Sequence, residues 1–388
     1  MFKRNQTLRY GAALSLLASA FLAPGVQAAG TLTPLHNFGS PATDGQNPSA
    51  GLILGSDGNF YGTTEFGGAN GDGAIYKISP SGTLTTLYSF SGSTDGSYIQ
   101  AGLVKGSDGN FYGVAEQGGT YTFGTAFKIT PAGVLSVLHE FGAAGDGRGP
   151  SGSLIQASDG NFYGTTGGSP SDGGGGTVFK MTPAGVETVL YTFAVGAPNT
   201  GVNSTGDGPG NLVQGSDGNL YGATSGGGSS GYGTVFKITT SGSITTLHDF
   251  DNADGYNPSG LVQDGSGIFY GTAGTVAFKI TSAGAYTIIA RFNTGLVGPS
   301  GNLLLGSDGN FYGTCDGGGT NFTGGIFELT PGGTLTTLYS FNSGGDGEDN
   351  VGGATPVGGL IQGSNGNFYG TALYGGQYGD GTVFEFVN

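Results

Sequence analysis

A chain of 388 residues with 86 glycines, a lone cysteine and a formal net charge of −15 is a poor match to several protein classes. Nucleic acid and acidic membrane surfaces need clustered Lys and Arg, and only 11 are present; one cysteine cannot build an internal disulfide framework. So much glycine would suit a low-complexity chain, but 25 Phe and 19 Tyr recur in register, which marks an ordered chain with glycine in its turns.

Residues 1–28 read as a secretory leader. Lys3, Arg4 and Arg9 form the positive region, Ala12 to Ala23 the apolar region, and Val26-Gln27-Ala28 a small-residue cleavage site. Pro24 and Gly25 end the apolar run short of the roughly twenty residues of a membrane span. Losing those three cations takes the net charge from −15 to −18. The expectation is a secreted, extracellular or periplasmic protein with no membrane span after cleavage.

The remainder repeats one sentence seven times at a spacing of roughly fifty residues. Its centre is Ser56-Asp57-Gly58-Asn59-Phe60-Tyr61-Gly62, and the tyrosine recurs at Tyr112, Tyr163, Tyr221, Tyr270, Tyr312 and Tyr369. In the first copy four strands follow from the patterning: a over Gly51–Gly55, b over Asn59–Glu65, c over Ala74–Ser79 and d over Thr83–Phe90. The a–b and c–d links are tight turns, in which Gly takes positive φ and Asp bonds its own backbone. The b–c and d–a links are long, Gly-rich and variable.

Seven four-stranded antiparallel units predict an all-β, seven-bladed β-propeller as a single domain over 29–388. Blades fall at about 51–90, 102–141, 152–193, 210–250, 260–292, 301–341 and 359–387. The last copy lacks strand d, while Thr31 to Phe38 is an orphan strand d at the other end of the chain. The N-terminal strand is therefore expected to complete the last blade and close the ring, removing exposed sheet edges.

The Gly-Ser-Asp-Gly-Asn-Phe-Tyr-Gly-Thr core, with Gly-Thr-Val-Phe-Lys-Ile-Thr and Leu-Thr-Thr-Leu-Tyr-Ser-Phe, resembles the GloVer tandem repeat of exported bacterial proteins of the "choice-of-anchor" type. That resemblance implies secretion and repeat architecture and carries no activity with it. The pattern is also similar to the repeats of streptogramin lyases, which implies a seven-bladed propeller; the catalytic His and Glu of that family have no matching motif here.

Several residue types that often carry chemistry fall on the repeat register. His36, His139 and His248 share one strand-d position with Tyr88, Tyr191 and Tyr339, which points to a structural role. Lys77, Lys128, Lys180, Lys237 and Lys279 share a strand-c position with Glu328 and Glu385, as expected of solvated strand faces. A series of Asp-Gly pairs (Asp44, Asp95, Asp146, Asp207, Asp254, Asp346) reads as turn chemistry. Cys315 stands where other copies have Thr or Ala, so it reads as a small buried side chain.

What departs from the repeat lies on the long-loop side. Glu65, Glu116 and Asp316 follow strand b in three copies and are the candidate catalytic carboxylates. Phe66, Tyr121, Phe123, Tyr232, Phe322, Tyr374 and Tyr378, with Arg148, are the candidate ligand-binding residues; Glu348 and Asp349 lie in another long loop. Blade five has almost no b–c loop (272–274), which predicts a notch in the rim. No cofactor is expected, with Asp72 and Asp380 the candidates for Ca²⁺, although the nine-residue period of calcium-binding β-solenoids is missing. Two functions compete: a non-catalytic binding or scaffold module for extracellular polysaccharide or a cell-surface component, and a polysaccharide hydrolase or lyase using the loop-face carboxylates. A structural subunit of an envelope assembly, using the tight-turn face, is a third.

Overall fold

The computed structural model describes residues 30–41, 43–168, 174–194, 203–293, 295–320, 322–341 and 352–388. The leader and the loop acids Asp346, Glu348 and Asp349 lie outside them. Every element among the described residues is a β-strand, and none is a helix able to span a membrane. Blade one comprises Ile53–Leu54, Phe60–Thr64, Ala74–Ile78 and Leu84–Ser89, paired in that order, and six further antiparallel sheets repeat it. The molecule is a seven-bladed β-propeller.

Strand a is usually shorter than expected, two paired residues in blade one. The residues just before it converge on the ring centre, where Pro48 and its equivalents have no N–H to donate to a ladder. Strand-b threonines secure this inner ring instead: Thr63, Thr165, Thr314 and Thr371 donate to Ala101, Gly210, Gly358 and Ala50 carbonyls of the adjoining blade, at 2.9 to 3.2 Å.

Ring closure follows the expectation. Thr31–Asn37 pairs with Thr382–Val387 as the outer strand of blade seven. The pairing even slips register between Val383 and Phe384, where the c–d pairing of blade one slips between Ile75 and Tyr76. The N-terminal strand thus reproduces a true strand d, bulge included.

The core lies between blades. Six of the seven repeat-core tyrosines pack on the Phe of the next blade, from Tyr61 on Phe111 with centroids 4.2 Å apart and Tyr112 on Phe162 at 4.0 Å to Tyr369 on Phe60 at 4.2 Å, and Tyr163 packs on Leu220 instead. An outer row does the same, with Phe90 on Phe127 and, across the closure, Phe38 on Tyr76. These rings are fully buried, and aromatic pairs in this geometry contribute about 1 kcal/mol beyond their area. The c–d turns complete the seam. Gly82, at φ 88°, lies so close to the preceding blade that a Cβ would meet the Leu35 carbonyl oxygen at 2.6 Å.

The turn aspartates do more than bend the chain. Asp57 accepts the Asn59 backbone N–H (3.2 Å), the Asn59 side-chain amide (2.7 Å) and the Tyr61 hydroxyl (2.9 Å), tying each turn to the buried ring. Where the sequence departs, the clamp is rebuilt. Blade seven has Asn365, and Glu385 of strand c takes the Tyr369 hydroxyl at 2.7 Å and the Asn367 amide at 2.7 Å. Blade five moves the acid to Asp264, which accepts from the Ser266 and Ile268 N–H groups. The Lys/Glu exchange on strand c is thereby corrected from a merely solvated face to part of this clamp, since Lys180 likewise reaches Asp159 at 3.0 Å.

Two outcomes follow. Burial pushes Asp57, Asp108, Asp217 and Asp308 up, but the Asn and Tyr donors outweigh it and hold all four below the usual range. A depressed folded value gives stability that is complete above the unfolded aspartate range, about pH 4, and is lost as pH falls through the folded values. The melting temperature should therefore drop below about pH 4, and Asp57→Asn should lower it at pH 7 while the gap to the native protein narrows in acid. Second, Tyr76 replaces the Phe of strand c and its buried hydroxyl has no partner, so Tyr76→Phe should add about 1 kcal/mol in denaturant titration; an unchanged or lower midpoint would refute that cost.

Candidate functional site at the loop-face mouth of the channel

Strand direction places all b–c and d–a loops on one face, where they pair with each other: Gln46 bridges to Phe66, Ser97 to Gln117 and Ala354 to Tyr374. Below them residues preceding strand a enclose a central cavity of about 290 Å³, lined by Gln100, Ser153, Asn211 and Asn302 among others. Strand a is thus innermost and strand d outermost.

The residue before Pro48 and its equivalents takes positive φ in every blade: Asn47 (56°), Tyr98 (61°), Gly149 (60°), Gly208 (61°), Asn257 (46°), Gly298 (65°) and Thr355 (55°). Gly and Asn suit this conformation. A tyrosine there is strained, at a cost of about 1–3 kcal/mol, and its loop has Ile99 where the other six have Pro. The strain places a side chain. The Tyr98 hydroxyl donates to Glu65, and this bond, with burial, pushes Tyr98 up to about 12. Gln100 Nε2 donates to Glu65 Oε1 at 3.2 Å. Phe66 meets Tyr98 edge-on at 5.3 Å, and Tyr374 is close enough to bear on its titration.

Glu116 is the next carboxylate along the rim. Burial, then the charge of Glu65, pushes its proton affinity above that of an ordinary glutamate. It also borders a hollow of about 410 Å³ with Gln117, Thr122, Phe123 and Arg148. The Arg148 guanidinium lies 4.3 Å over the Phe123 ring. The structure thus joins Glu65, Phe66, Glu116, Phe123 and Arg148 into one stretch of rim across blades one to three.

The remaining candidates are spread elsewhere. Asp316 stands on blade six, where burial, not a neighbouring carboxylate, raises it. Tyr121, Tyr232, Phe322 and Tyr378 are exposed, Phe322 most of all at 83%. The notch at blade five is partly roofed by Tyr256, whose ring covers Gly274. Of the calcium candidates, Asp380 accepts from Gln46 Nε2 at 3.1 Å and Asp72 packs on Gly92; neither joins a group of three potential ligands among the described residues. Cys315 is buried, and burial raises its thiol well out of the nucleophilic range.

Sequence reasoning missed Tyr98 and Gln100, whose signal was the lost proline. It also missed that the strand-d rings bond the Asp-Gly series: His36 to Asp44 at 2.8 Å, Tyr88 to Asp95 at 2.8 Å, His139 to Asp146 at 3.1 Å and His248 to Asp254 at 2.9 Å. These pairs fix the d–a loops from the outer strand.

Fold and rim together define a seven-bladed propeller whose one face is built of variable loops around the mouth of a central cavity. A family model of the Gloeobacter/Verrucomicrobia repeat matches residues 25–205, so that stretch of the β-propeller is built of that repeat. A search of curated proteins finds no match. Among solved structures the chain is similar to a streptogramin B lyase (17% identity, 92% of this chain and 98% of that one, TM-score 0.62). It is also similar to a virginiamycin B lyase from Staphylococcus aureus solved with quinupristin (16%, 92% and 99%, TM-score 0.63). A third is the extracellular domain assigned to a hybrid two-component system of B. thetaiotaomicron (14%, 92% and 41%, TM-score 0.59). At these identities the likeness is one of fold.

Glu65→Gln removes the charge that acts on Glu116 but not its burial. The Glu116 pKa, followed by carboxyl NMR, should fall yet stay above that of a free glutamate. An unchanged value would show that the two carboxylates do not sense each other.

Proposed function

We propose that this is an exported, non-catalytic binding module that holds a neutral extracellular polysaccharide on the rim between blades one and three. The observation that carries the reading is Tyr98, held in a strained conformation that no sibling loop gives to an aromatic and met edge-on by the exposed Phe66, with the exposed Phe123 further along the same rim. Outliers of this kind cluster at functional sites. A rim of aromatic faces with few, fixed polar groups suits a sugar chain, whose apolar ring faces stack and whose hydroxyls bond. The Glu65 and Glu116 charges work against an anionic glycan.

Glycosidic hydrolysis needs two carboxylates open to the bond, one as acid and one as base or nucleophile. Glu65 is buried and engaged by Tyr98 and Gln100, which suits a positioning role. The lyase neighbours do not change this, because the three histidines here are tied to aspartates at the outer strand, away from the rim.

Affinity electrophoresis in gels cast with β-glucan, xylan, mannan or galactan should retard the protein in at least one. Tyr98→Asn, a residue the sibling loops use, and Phe66→Ala should each abolish most of the shift. No retardation in any gel would defeat the reading, and release of reducing ends that Glu116→Gln stops would replace it with the hydrolase.

A further inference from the structure

Away from the rim, one position on strand d breaks the repeat in a way that the fold does not require. The first strand-d residue of each blade faces one position of the preceding blade's strand d, which is His or Tyr in six blades and Ala290 in blade five. That first residue is Leu32, Leu84, Leu135, Ile244, Tyr286 or Leu335 in six blades and Glu187 in blade three. The geometry at blade five shows what the place is for: Tyr286 stacks on His248 at 3.8 Å with an interplanar angle of 2°. In blade three the same place puts a carboxylate against His139 and Asp146. One ligand atom from each of His139, Asp146 and Glu187 lies within 4.8 Å of the others.

We propose that His139, Asp146 and Glu187 form a binding site for one borderline divalent cation, with Zn²⁺ the best match. Two independent features carry this. Glu187 Oε1 is shut off from solvent and has no hydrogen-bond partner, while the same carboxyl group lies against that of Asp146, an arrangement that costs free energy unless a proton or a cation sits between them. And the ligand set is mixed: imidazole with two carboxylates suits Zn²⁺, whereas Ca²⁺ and Mg²⁺ take oxygen ligands. His139 Nε2 and Asp146 Oδ2 stand 3.1 Å apart, close to the roughly 3.3 Å between ligands on a tetrahedral Zn²⁺ with bonds of about 2.0 Å. The three residues come from two blades and the loop between them, so a cation there would cross-link the seam. Three protein ligands leave a fourth position for water.

The test is calorimetric titration of chelator-treated protein with Zn²⁺, run beside Glu187→Leu and His139→Tyr. Each variant restores the residue that sibling blades carry, so both should fold. The native protein should take up one Zn²⁺ per chain and melt at a higher temperature with it. Both variants should lose affinity by about tenfold or more, while His248→Tyr, at the equivalent pair without the glutamate, should bind as the native protein does. No uptake, uptake that survives Glu187→Leu, or a preference for Ca²⁺ over Zn²⁺ would each overturn the proposal.

Discussion

The structure depends on one contact made seven times, a ring of strand b laid on the first ring or side chain of strand b in the next blade. Tyr61 on Phe111 begins a sequence that returns to its start at Tyr369 on Phe60, with Leu220 standing for Phe beside Tyr163. Because the sequence is circular, no blade can leave without exposing two neighbours. A β-sheet of four strands cannot bury both of its faces alone; here each blade is the cover of the one before. That makes closure the decisive event, and closure is made by the least local pairing available, Thr31–Asn37 with Thr382–Val387.

The turn clamp shows how such a repeat tolerates drift. The requirement is an acceptor beneath the tyrosine hydroxyl, not an aspartate at a fixed position. Blade seven meets it from strand c through Glu385 after the turn acid became Asn365, and blade five meets it from Asp264, two residues earlier. In both, the buried ring keeps its place and the acid moves. Burial of the aromatic is the expensive term to change, since truncating such a ring costs about 3–5 kcal/mol, whereas a half-exposed carboxylate can be supplied from any neighbouring strand.

This difference explains what could be read beforehand. Strand number, blade number, the permuted closure and the long-loop face are all consequences of periodic burial, and periodicity is visible in one sequence. Glu65 and Glu116 were legible as neighbours because blades one and two adjoin. What was not legible depends on contacts between different phases of the repeat. Strand-d His and Tyr meet loop aspartates seven or so positions on, and strand-c Lys and Glu reach turns in a strand they are not adjacent to in sequence. Asp316 shares its register with Glu65 and Glu116, and register alone grouped it with them; two blades from Glu65 and three from Glu116 around the ring, it has its own surroundings.

Departures from register are informative only when the fold gives no reason for them. Cys315 departs and is explained by small-residue packing. Glu385 departs and is explained by Asn365. Tyr98 is different, because its side chain occupies a conformation for which every sibling uses Gly, Asn or Thr, and the neighbouring proline that would stiffen the loop is gone. Glu187 is different for the opposite reason, since it places charge where six siblings place an apolar side chain that packs without strain. A repeat scaffold gives each position six internal controls, so a costly residue that those controls do without has to be accounted for by something the scaffold meets, and both of these residues lie at seams where the rigid blades bring side chains of different copies together.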